Sequence, residues 1–489
     1  MNLLSREEVY LLDQSLLKSR TDLFSLIQEV GQALSLWFLR NYSKKQSVLI
    51  AVGSGHNGDD GLSLGVELIK RGYSVFFYNA SSLLTSSSSD VRKKLLSSIS
   101  EETWVQTLGE SEFDVVVDAL YGVGLNRELG AEDQKCIVAL NQMAGEKVSL
   151  DLPSGVDANS GQLWATSCFE AHTNLSIGFH KRGLFLLPAA LQSQNNIAIE
   201  VKSLNSVTLP FVPQCCELPA FEDWFRLFPR ARTDNKYTRG KVTILQSPMC
   251  PGAAVLTACA ALHCGAGYVQ IFCPEDFWVQ GSLTHPQFVW TGYQNATHLA
   301  RLILNEHKSQ SFVWGPGWTD SSLNLGEIMK QPTAFVFDAG VLTSALVSAL
   351  HHNKRSQDVL TPHEGELHKI LPKDSNWSRW QSLSWLQENI DSTLLLKGAD
   401  TLIGSKGQPT RLATWNSSQL AFAGSGDILC GIIAAFIAQG KPTFEATLMA
   451  SDLHRKAGAL YPFATTPEKL IEGLHRILNQ LSVNSANSL

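Results

Sequence analysis

The chain has 489 residues, more than one ordinary hydrophobic core holds, so its length indicates two domains. Hydrophobic residues make up 44% and charged residues 17%, which is typical of a soluble globular protein. A formal net charge of -6, with scattered lysines and arginines, argues against a nucleic-acid partner. No stretch of about eighteen apolar residues is free of charge, so we expect no membrane span. The first residues do not resemble a signal peptide, so we expect a cytoplasmic protein.

The first predicted elements are two amphipathic helices. Ser5 and Glu8 have the spacing of a capping box, and apolar residues follow at positions 9, 12 and 16, which are helical intervals. A second helix is predicted over residues 23–39. These helices precede the first strand, and their apolar faces would suit self-association, so we expect a homo-oligomer.

An alternation of strands and helices follows. It begins with an apolar run at 48–52, a glycine-rich turn at 52–61 (VGSGHNGDDG), a helix at 62–70 and a strand at 73–78. Two more predicted strands, 115–117 and 148–150, end in Asp118 and Asp151. In open α/β sheets ligands bind at the carboxyl ends of the strands, so we expect both carboxylates in a site.

The alternation is interrupted at residues 203–225, which are rich in proline and indicate an interdomain segment. We therefore predict one domain over residues 1–213 and a second over residues 220–489. The second domain resumes the α/β pattern with predicted elements at 242–245, 252–264, 268–272, 335–337 and 393–396. We expect the last strong helix to begin after residues 424–427 and to run to Gly440.

The glycine-rich turn at 52–61 joins a strand to a helix, so its backbone amides could approach an anion. Taken alone, this motif is a weak signal, and a plain connecting turn is the structural alternative. The loops that follow Asp118 (DALYGVGLNR) and Asp151 (DLPSGVD) favour a functional site, because each combines a strand-tip carboxylate with glycines.

These three motifs resemble those of bifunctional NAD(P)H-hydrate repair enzymes. The corresponding family motifs are GxGNNGGDG, DxLxGTGLxR and DxPSG. The resemblance implies a Rossmann-like three-layer domain that epimerises hydrated NADH and NADPH at C6 of the nicotinamide ring, with Asp151 as the acid/base residue. It also implies a potassium site formed by Asn57, Asp118 and Ser154, whose oxygen donors suit a hard cation.

The resemblance further implies which residues contact the hydrated cofactor. In the first domain they are His56, Asn57, Gly58, Asp59, Asp60, Gly122, Val123, Gly124, Leu125, Asn126, Arg127, Glu128 and Asp151. The loop from Gly122 to Glu128 would hold the phosphates, with Arg127 as a charge partner. Two residues depart from the family pattern, since His56 replaces Asn and Asp59 replaces Gly. Asp59 adds a charge that would either weaken substrate binding or point outward.

In the second half, residues 423–433 (AGSGDILCGII) place small residues and Asp427 at a helix start. Backbone amides there could neutralise a phosphate while Asp427 takes a hydroxyl proton, which is the chemistry of phosphoryl transfer. An ordinary helix cap is the structural alternative. The pattern resembles ribokinase-like kinases and implies a ribokinase-like α/β domain that binds ADP or ATP.

Other loops of this half resemble the dehydratase branch of the same repair family. They include TPHEGE (361–366), KGADT (397–401) and GPG (315–317). By resemblance, Ala253, Gly317, His363 and Asp427 contact the hydrated cofactor. The nucleotide contacts would be Lys397, Gly398, Ala399, Asp400, Thr401 and Gly426. The implied reaction phosphorylates the ring hydroxyl with ADP or ATP and a magnesium ion, and loss of phosphate then restores the dihydropyridine.

Two alternatives remain open from the sequence. A two-domain ribokinase-like small-molecule kinase would explain the helix start at Asp427 but not the first half. A nucleotide-binding protein with one decayed domain would explain the departures at Asp59 and at Gly340, where the family has a second aspartate. Asp151 and Asp427 are both present, which favours the repair enzyme.

Overall fold

The computed structural model describes residues 1–18, 22–80, 90–109, 111–222, 233–319, 323–414, 418–462 and 465–486. The chain divides into two compact units, Met1–Cys216 and Glu217–Leu489. A short strand, Cys215–Glu217, spans the division in the sequence. Each unit has the mixed α/β architecture with parallel strands that the sequence predicts.

The first unit contains both predicted N-terminal helices and a predominantly parallel set of strands. Its strands are β1 (Leu3–Leu4), β2 (Ser47–Val52), β3 (Ser74–Asn79), β4 (Trp104–Val105), β5 (Val115–Ala119), β6 (Glu146–Leu150), β7 (Ala171–Ile177), β8 (His180–Lys181) and β9 (Ser193–Ile199). Its α-helices are α1 (Arg6–Lys18), α2 (Leu23–Asn41), α3 (His56–Lys70), α4 (Asp90–Leu96), α5 (Ala131–Gln142) and α6 (Lys202–Asn205). Short 3-10 helices lie at Glu101–Thr103, Arg182–Phe185 and Ala189–Leu191.

The main sheet of this unit has the strand order β4-β3-β2-β5-β6-β7-β9, with all neighbours parallel. The chain leaves β2 towards β3 and later returns to β5 on its other side. Such a reversal opens a crevice at the carboxyl ends of the strands, where doubly wound folds bind ligands. The glycine-rich segment, Asp118 and Asp151 all lie at this edge, because they end or follow β2, β5 and β6.

The predicted capping box is confirmed at the start of α1. The backbone N–H of Ser5 donates to Glu8 Oε2 at 2.7 Å, and the N–H of Glu8 donates to Ser5 Oγ at 3.1 Å. The prediction that residues 52–61 form a turn is wrong in its second half, because α3 begins at His56. The glycines of α3 allow the helix to pack closely on the sheet: a Cβ on Gly65 would clash with the ring of Phe77 on β3.

The second unit repeats the plan with a longer sheet. After the boundary strand β10 (Cys215–Glu217), its strands are β11 (Lys241–Leu245), β12 (Tyr268–Pro274), β13 (Val289–Tyr293), β14 (Ser311–Trp314), β15 (Ala334–Phe337), β16 (Val359–Leu360), β17 (Thr393–Leu396), β18 (Leu402–Gly404) and β19 (Thr410–Leu412). Its α-helices are α7 (Pro251–His263), α8 (Glu275–Thr284), α9 (Ala296–Asn305), α10 (Leu325–Ile328), α11 (Ser344–Asn353), α12 (Glu364–Ile370), α13 (Arg379–Asn389), α14 (Ser425–Ala438), α15 (Thr443–Ala459) and α16 (Pro467–Ala486). Short 3-10 helices lie at Ala339–Val341 and Ser418–Leu420.

The sheet of the second unit has the order β19-β18-β17-β16-β15-β14-β11-β12-β13. The pairs β17·β18 and β18·β19 are antiparallel and the others are parallel. The order reverses at β11, between β12 and β14, so this unit also has a crevice at the carboxyl edge.

One helix prediction for the second unit is wrong. The sequence predicts the helix at 425–438 as the last strong one, but two longer helices, α15 and α16, follow it. The apolar pattern of α15 is broken by charged residues that are nevertheless buried. Asp452 and Arg455 form an ion pair inside the unit, with 2.5 Å between Oδ1 and Nη2. Within the described ranges, no helix has both the length and the apolar character that crossing a bilayer requires.

Candidate active sites

A cavity of about 500 Å³ lies at the carboxyl edge of the first sheet, with α1 and α2 forming much of its apolar wall. Most of the residues predicted to bind substrate line it. They are His56, Asn57, Asp60, Gly122, Val123, Gly124, Leu125, Asn126, Arg127 and Asp151. Gly58, Asp59 and Glu128 are not among the lining residues. The volume lies in the range of small-molecule sites.

Asp151 lines this cavity directly after β6, and its backbone has a left-handed conformation with φ 65°. Its Oδ2 accepts a hydrogen bond from the N–H of Val123 at 3.1 Å. Its Oδ1 forms an ion pair with the ammonium group of Lys181, and both side chains are buried. The carboxylate is therefore held between a cation and the loop that begins at Gly122.

Lys181 is a site residue that the sequence analysis missed. It belongs to β8, a two-residue strand that pairs in parallel with β1, so that Leu4 lies opposite Lys181. No spacing or glycine motif marks it, because it follows the last strand-tip motif by many residues. Only the fold brings it to Asp151.

Asp118 and Ser154 form a second polar cluster at the same edge. The backbone N–H and the hydroxyl of Ser154 donate to the Asp118 carboxylate at 2.8 and 2.7 Å, and the N–H of Leu120 donates to it at 3.1 Å. Both side chains are fully buried. Burial raises the pKa of Asp118 to about 6, and the hydrogen bonds from Ser154 and Leu120 oppose that rise.

The amide group of Asn57 lies buried at the start of α3. Neither its Oδ1 nor its Nδ2 has a hydrogen-bond partner within the part of the chain that is described. A Cβ on Gly122 would lie 3.2 Å from both the Asn57 side chain and Asp151 Oδ2, so these groups converge. A buried amide without a partner is costly, and an oxygen-binding cation would satisfy its Oδ1. The donors of Asn57, Asp118 and Ser154 thus fit a potassium ion in type.

Asp59 points neither into the cavity nor outward, so neither expectation for this departure describes its position. Its Oδ1 lies 2.6 Å from Nε of Arg92, and both side chains are buried. Nη2 of Arg92 also donates to the carbonyls of Gly53 and Gly55 at 2.9 Å. The extra carboxylate therefore helps to brace the glycine segment through Arg92.

Two further carboxyl groups line the cavity. The sequence does not predict Asp13, on α1, as a site residue, because the helical pattern indicates only which positions of the helix are apolar. Burial raises its pKa to about 6, with Lys181 opposing and Asp151 reinforcing the shift. Burial, with the charges of Asp151 and Asp59, also raises the pKa of Asp60 well above its usual value.

In the second unit, the candidate site lies at the carboxyl edge of β15, β16 and β17. Nζ of Lys397, which follows β17, lies 2.6 Å from Oδ1 of Asp338, which follows β15. The hydroxyl of Thr361 donates to the same oxygen at 2.9 Å. A Cβ on Gly426 would lie 3.4 Å from Nζ of Lys397, so the start of α14 adjoins this pair. Asp338 is a further site residue that the predicted set omitted.

Asp427 lies in the first turn of α14, where the helix dipole favours negative charge. Burial raises its pKa to about 6; Asp338 adds to the rise and Lys397 opposes it. The neighbouring Ser425 is hydrogen-bonded to the buried His454, whose Nε2 lies 3.2 Å from the Ser425 hydroxyl. The arrangement combines a carboxylate of raised pKa with the backbone amides of a helix start and one ammonium group.

The predicted nucleotide loop, Lys397 to Thr401, is braced by Arg379. The guanidinium of Arg379 lies 2.9 Å from Oδ1 of Asp400 and donates to the carbonyls of Leu396 and Lys397 at 3.2 Å. The hydroxyl of Thr401 donates to the Gly398 carbonyl at 2.8 Å. The Asp400 carboxylate is therefore occupied by its ion pair with Arg379, whereas Gly398 and Ala399 offer backbone groups to a ligand.

The predicted substrate contacts Ala253 and Gly317 are neighbours. A Cβ on Gly317 would lie 3.0 Å from Cβ of Ala253. His363 is the N-cap of α12: its Nδ1 accepts from the N–H of Gly365 at 2.9 Å, and Glu366 Oε2 accepts from its backbone N–H at 2.8 Å. The imidazole is 57% exposed, so capping leaves it accessible to a ligand.

A dedicated magnesium cage is not formed by the described residues, since no cluster of three or more His, Cys, Asp or Glu side chains could hold a metal ion. Magnesium usually keeps only one or two carboxylate ligands and takes the rest from phosphates and water. The carboxylates of Asp338 and Asp427 could serve as these one or two protein ligands of a nucleotide-bound magnesium ion.

Comparisons with known proteins match both halves of the chain. The family "YjeF-related protein N-terminus" matches residues 24–183, and the family "NAD(P)H-hydrate dehydratase" matches residues 242–479. The bifunctional NAD(P)H-hydrate repair enzyme of Thermosynechococcus vestitus is 28% identical over 85% of this chain and 84% of its own length. The enzyme of that name from Coxiella burnetii is 28% identical over 89% of each chain.

One similar solved structure is a ribokinase-like superfamily protein from Enterococcus faecalis. It is 20% identical, with a TM-score of 0.47, and the match covers 56% of this chain and 99% of that one. The two matched families together span most of the sequence. The chain belongs to the family of bifunctional NAD(P)H-hydrate repair enzymes.

Proposed function

We propose that the chain repairs hydrated NADH and NADPH in two steps. Residues 1–213 form an epimerase domain that interconverts the R and S hydrates, and residues 220–489 form a dehydratase domain that converts the S hydrate to NADH or NADPH. The observation that carries the first assignment is the buried Asp151–Lys181 pair in the lining of the cavity. The second rests on Asp427 beside Lys397 and the start of α14.

In the epimerase domain, Asp151 is the base that acts on the hydrate. The ammonium of Lys181 stabilises its negative charge, and the N–H of Val123 fixes its second oxygen. The loop 122–127 lines the same cavity, where its backbone N–H groups and Arg127 would bind the phosphates of the cofactor. Because this anchoring does not involve the reacting ring, the ring can open or rotate while the cofactor stays bound.

A potassium ion is part of the proposal for this domain. Asn57, Asp118 and Ser154 would hold it, which would satisfy the unpartnered Oδ1 of Asn57. When bound, it would supply positive charge beside the phosphate loop. The side chains themselves position the loop, since Ser154 Oγ accepts from the N–H of Tyr121 at 3.0 Å.

In the dehydratase domain, Asp427 takes the proton of the ring hydroxyl as that oxygen attacks the terminal phosphate of ADP or ATP. The helix-start amides at residues 424–427 and Lys397 bind the phosphate oxygens. Lys397, Gly398, Ala399, Asp400, Thr401 and Gly426 form the nucleotide site, and Ala253, Gly317 and His363 contact the hydrate. Magnesium held mainly by the nucleotide would add charge compensation. A cytoplasmic location and a homo-oligomeric state remain predictions from the sequence.

The test uses the full chain with an equal mixture of R and S hydrates, potassium, magnesium and either ADP or ATP. Recovery is followed at the absorbance band of the reduced nicotinamide. We expect full recovery in the wild type, recovery of only the S share in Asp151→Asn, and none in Asp427→Asn. The surface variant Asp391→Asn should behave as wild type. Half recovery in the wild type would refute the epimerase assignment, and no recovery with either nucleotide would refute the dehydratase assignment.

A further inference from the structure

The cavity of the first unit contains a carboxyl group that the proposed function does not use. Asp13 lies on α1, in the wall that the N-terminal helices contribute, whereas Asp151 and Lys181 lie at the edge of the sheet. Asp13 is half-buried, and within the described residues its carboxyl group forms no hydrogen bond and no ion pair. An acidic side chain without a partner, facing a ligand cavity on an otherwise apolar wall, calls for a chemical reason.

The position of Asp13 is fixed, because α1 is fastened to the phosphate loop. Nε of Arg6 donates to the Val123 carbonyl at 2.9 Å, and its Nη2 lies 2.6 Å from Asp157 Oδ1. The backbone N–H of Arg6 donates to Asn159 Oδ1 at 2.7 Å. Val123 in turn donates to Asp151. The helix that carries Asp13 and the loop that holds Asp151 therefore form one connected structure.

Charged groups from three directions act on the Asp13 carboxyl. Lys181 on β8 and His56 at the start of α3 favour its ionised form, whereas Asp151 after β6 disfavours it. The carboxyl group of Asp60 on α3 also interacts electrostatically with that of Asp13. Burial dominates and raises the pKa of Asp13 to about 6. The carboxyl groups of Asp151 and Asp13 thus differ in setting: Asp151 is paired with an ammonium group, and no cation of the described residues is in contact with Asp13.

We propose that Asp13 is the catalytic acid that works with Asp151 in the epimerisation of the hydrated cofactor. This inference rests on the proposed function of the first domain and adds a second proton-transfer group to it. The assignment follows from the shared cavity: a base held by Lys181 and a carboxyl group that pairs with none of the described residues face the same ligand space.

The hydrated ring carries its hydroxyl on C6, which is bonded to the ring nitrogen, so the carbon is a hemiaminal centre. Asp151 takes the hydroxyl proton, C6 becomes an aldehyde carbon, and the bond from C6 to the nitrogen breaks. Its electron pair moves to the nitrogen, which receives a proton from Asp13. Rotation about the C5–C6 bond presents the other aldehyde face, and reversal of both proton transfers closes the ring. The sequence of steps needs no oxidant or co-substrate.

The experiment measures interconversion of separated R and S hydrates by the full chain, without nucleotide, by chromatography. We expect Asp13→Asn to lower kcat about 10²- to 10⁴-fold with little change in KM, as loss of a general acid does. In the wild type kcat should fall as the pH rises above about 6, since Asp13 then loses its proton. That limb should be absent in Asp13→Asn, and Asp13→Glu should restore part of the rate.

Gln14→Asn is the matched control, because Gln14 is exposed on the same helix and does not line the cavity. Activity of Asp13→Asn equal to that of the control, in an active wild type, would overturn the role of Asp13 alone. A loss confined to KM or to thermal stability would assign Asp13 a structural role and also overturn the inference. A wild type that does not interconvert the hydrates would overturn the proposed epimerase function, and this inference with it.

Discussion

Asp59 and Arg92 form a buried ion pair in the first unit, with 2.6 Å between Oδ1 and Nε. Arg92 also binds the carbonyls of Gly53 and Gly55, so this pair connects α3 to the end of β2. The family pattern has glycine at position 59, and here the carboxylate has acquired a cation that compensates its burial.

Removal of Arg92 should therefore be strongly destabilising. We expect Arg92→Met to lower the free energy of unfolding of the first unit by about 3–5 kcal/mol, because it leaves the Asp59 carboxylate buried without its cation. Urea denaturation measures the change. The double variant Arg92→Met/Asp59→Gly should recover part of the loss. Lys70→Met, which breaks the exposed pair with Glu67, should cost less than about 1 kcal/mol, and an equal loss in the two single variants would contradict the expectation.

The dehydratase reaction should depend on pH through Asp427. A base must be ionised to accept a proton, and the pKa of Asp427 is raised to about 6, so the rate should fall below pH 6. Lys397 opposes that rise, and Lys397→Met should therefore move the acid limb to higher pH. Rates of NADH recovery from the S hydrate between pH 5 and 8 test this, with about tenfold lower rate per unit below the pKa.

The control for this shift is Lys406→Met, because Lys406 pairs with Asp391 at the surface. Its pH profile should match that of the wild type. A limb that stays in place, or moves to lower pH, in Lys397→Met would show that another group controls the rate.

Potassium should stabilise the first unit independently of catalysis. A ligand that binds only the folded state adds about 2.7 kcal/mol at a concentration 100 times its Kd. We expect the melting temperature to rise when potassium replaces sodium at constant ionic strength. The rise should vanish in Asp118→Asn but persist in Asp114→Asn, whose carboxylate binds Ser47 at the exposed start of β2. A rise of equal size in both variants would exclude Asp118 as a ligand.

Restoring the family aspartate at position 340 should not improve the enzyme. The N–H of Gly340 donates to the Trp318 carbonyl at 3.0 Å, and a Cβ at this position would clash with that same oxygen. Both Gly340→Ala and Gly340→Asp should therefore destabilise the second unit and lower the rate of dehydration. Gly292→Ala, where the nearest atom would lie 3.4 Å away, is the control expected to fold normally. Normal stability with a faster dehydration in Gly340→Asp would contradict this.

The parallel sheets and the strand-tip carboxylates of the first unit were predictable, because strongly apolar runs ended in Asp118 and Asp151. The position of Lys181 in the site was not predictable, since it depends on β8 pairing with β1, and these two strands lie far apart in the sequence. Asp13 was hidden for another reason: one polar residue within an amphipathic helix has the same pattern whether it faces water or a cavity. Local periodicity records which face is apolar, whereas these two positions are set by tertiary contacts.

The attachment of α1 has a consequence for how the first unit folds. Arg6 binds Asn159 and Asp157, more than 150 residues away along the chain. Helix α1 can form early from its own capping box, but the cavity wall it supplies cannot close until the strands up to β8 have assembled. We therefore expect the cavity of the first unit to be completed late in folding, and amide exchange should detect its opening before that of β2 and β5 in the sheet centre.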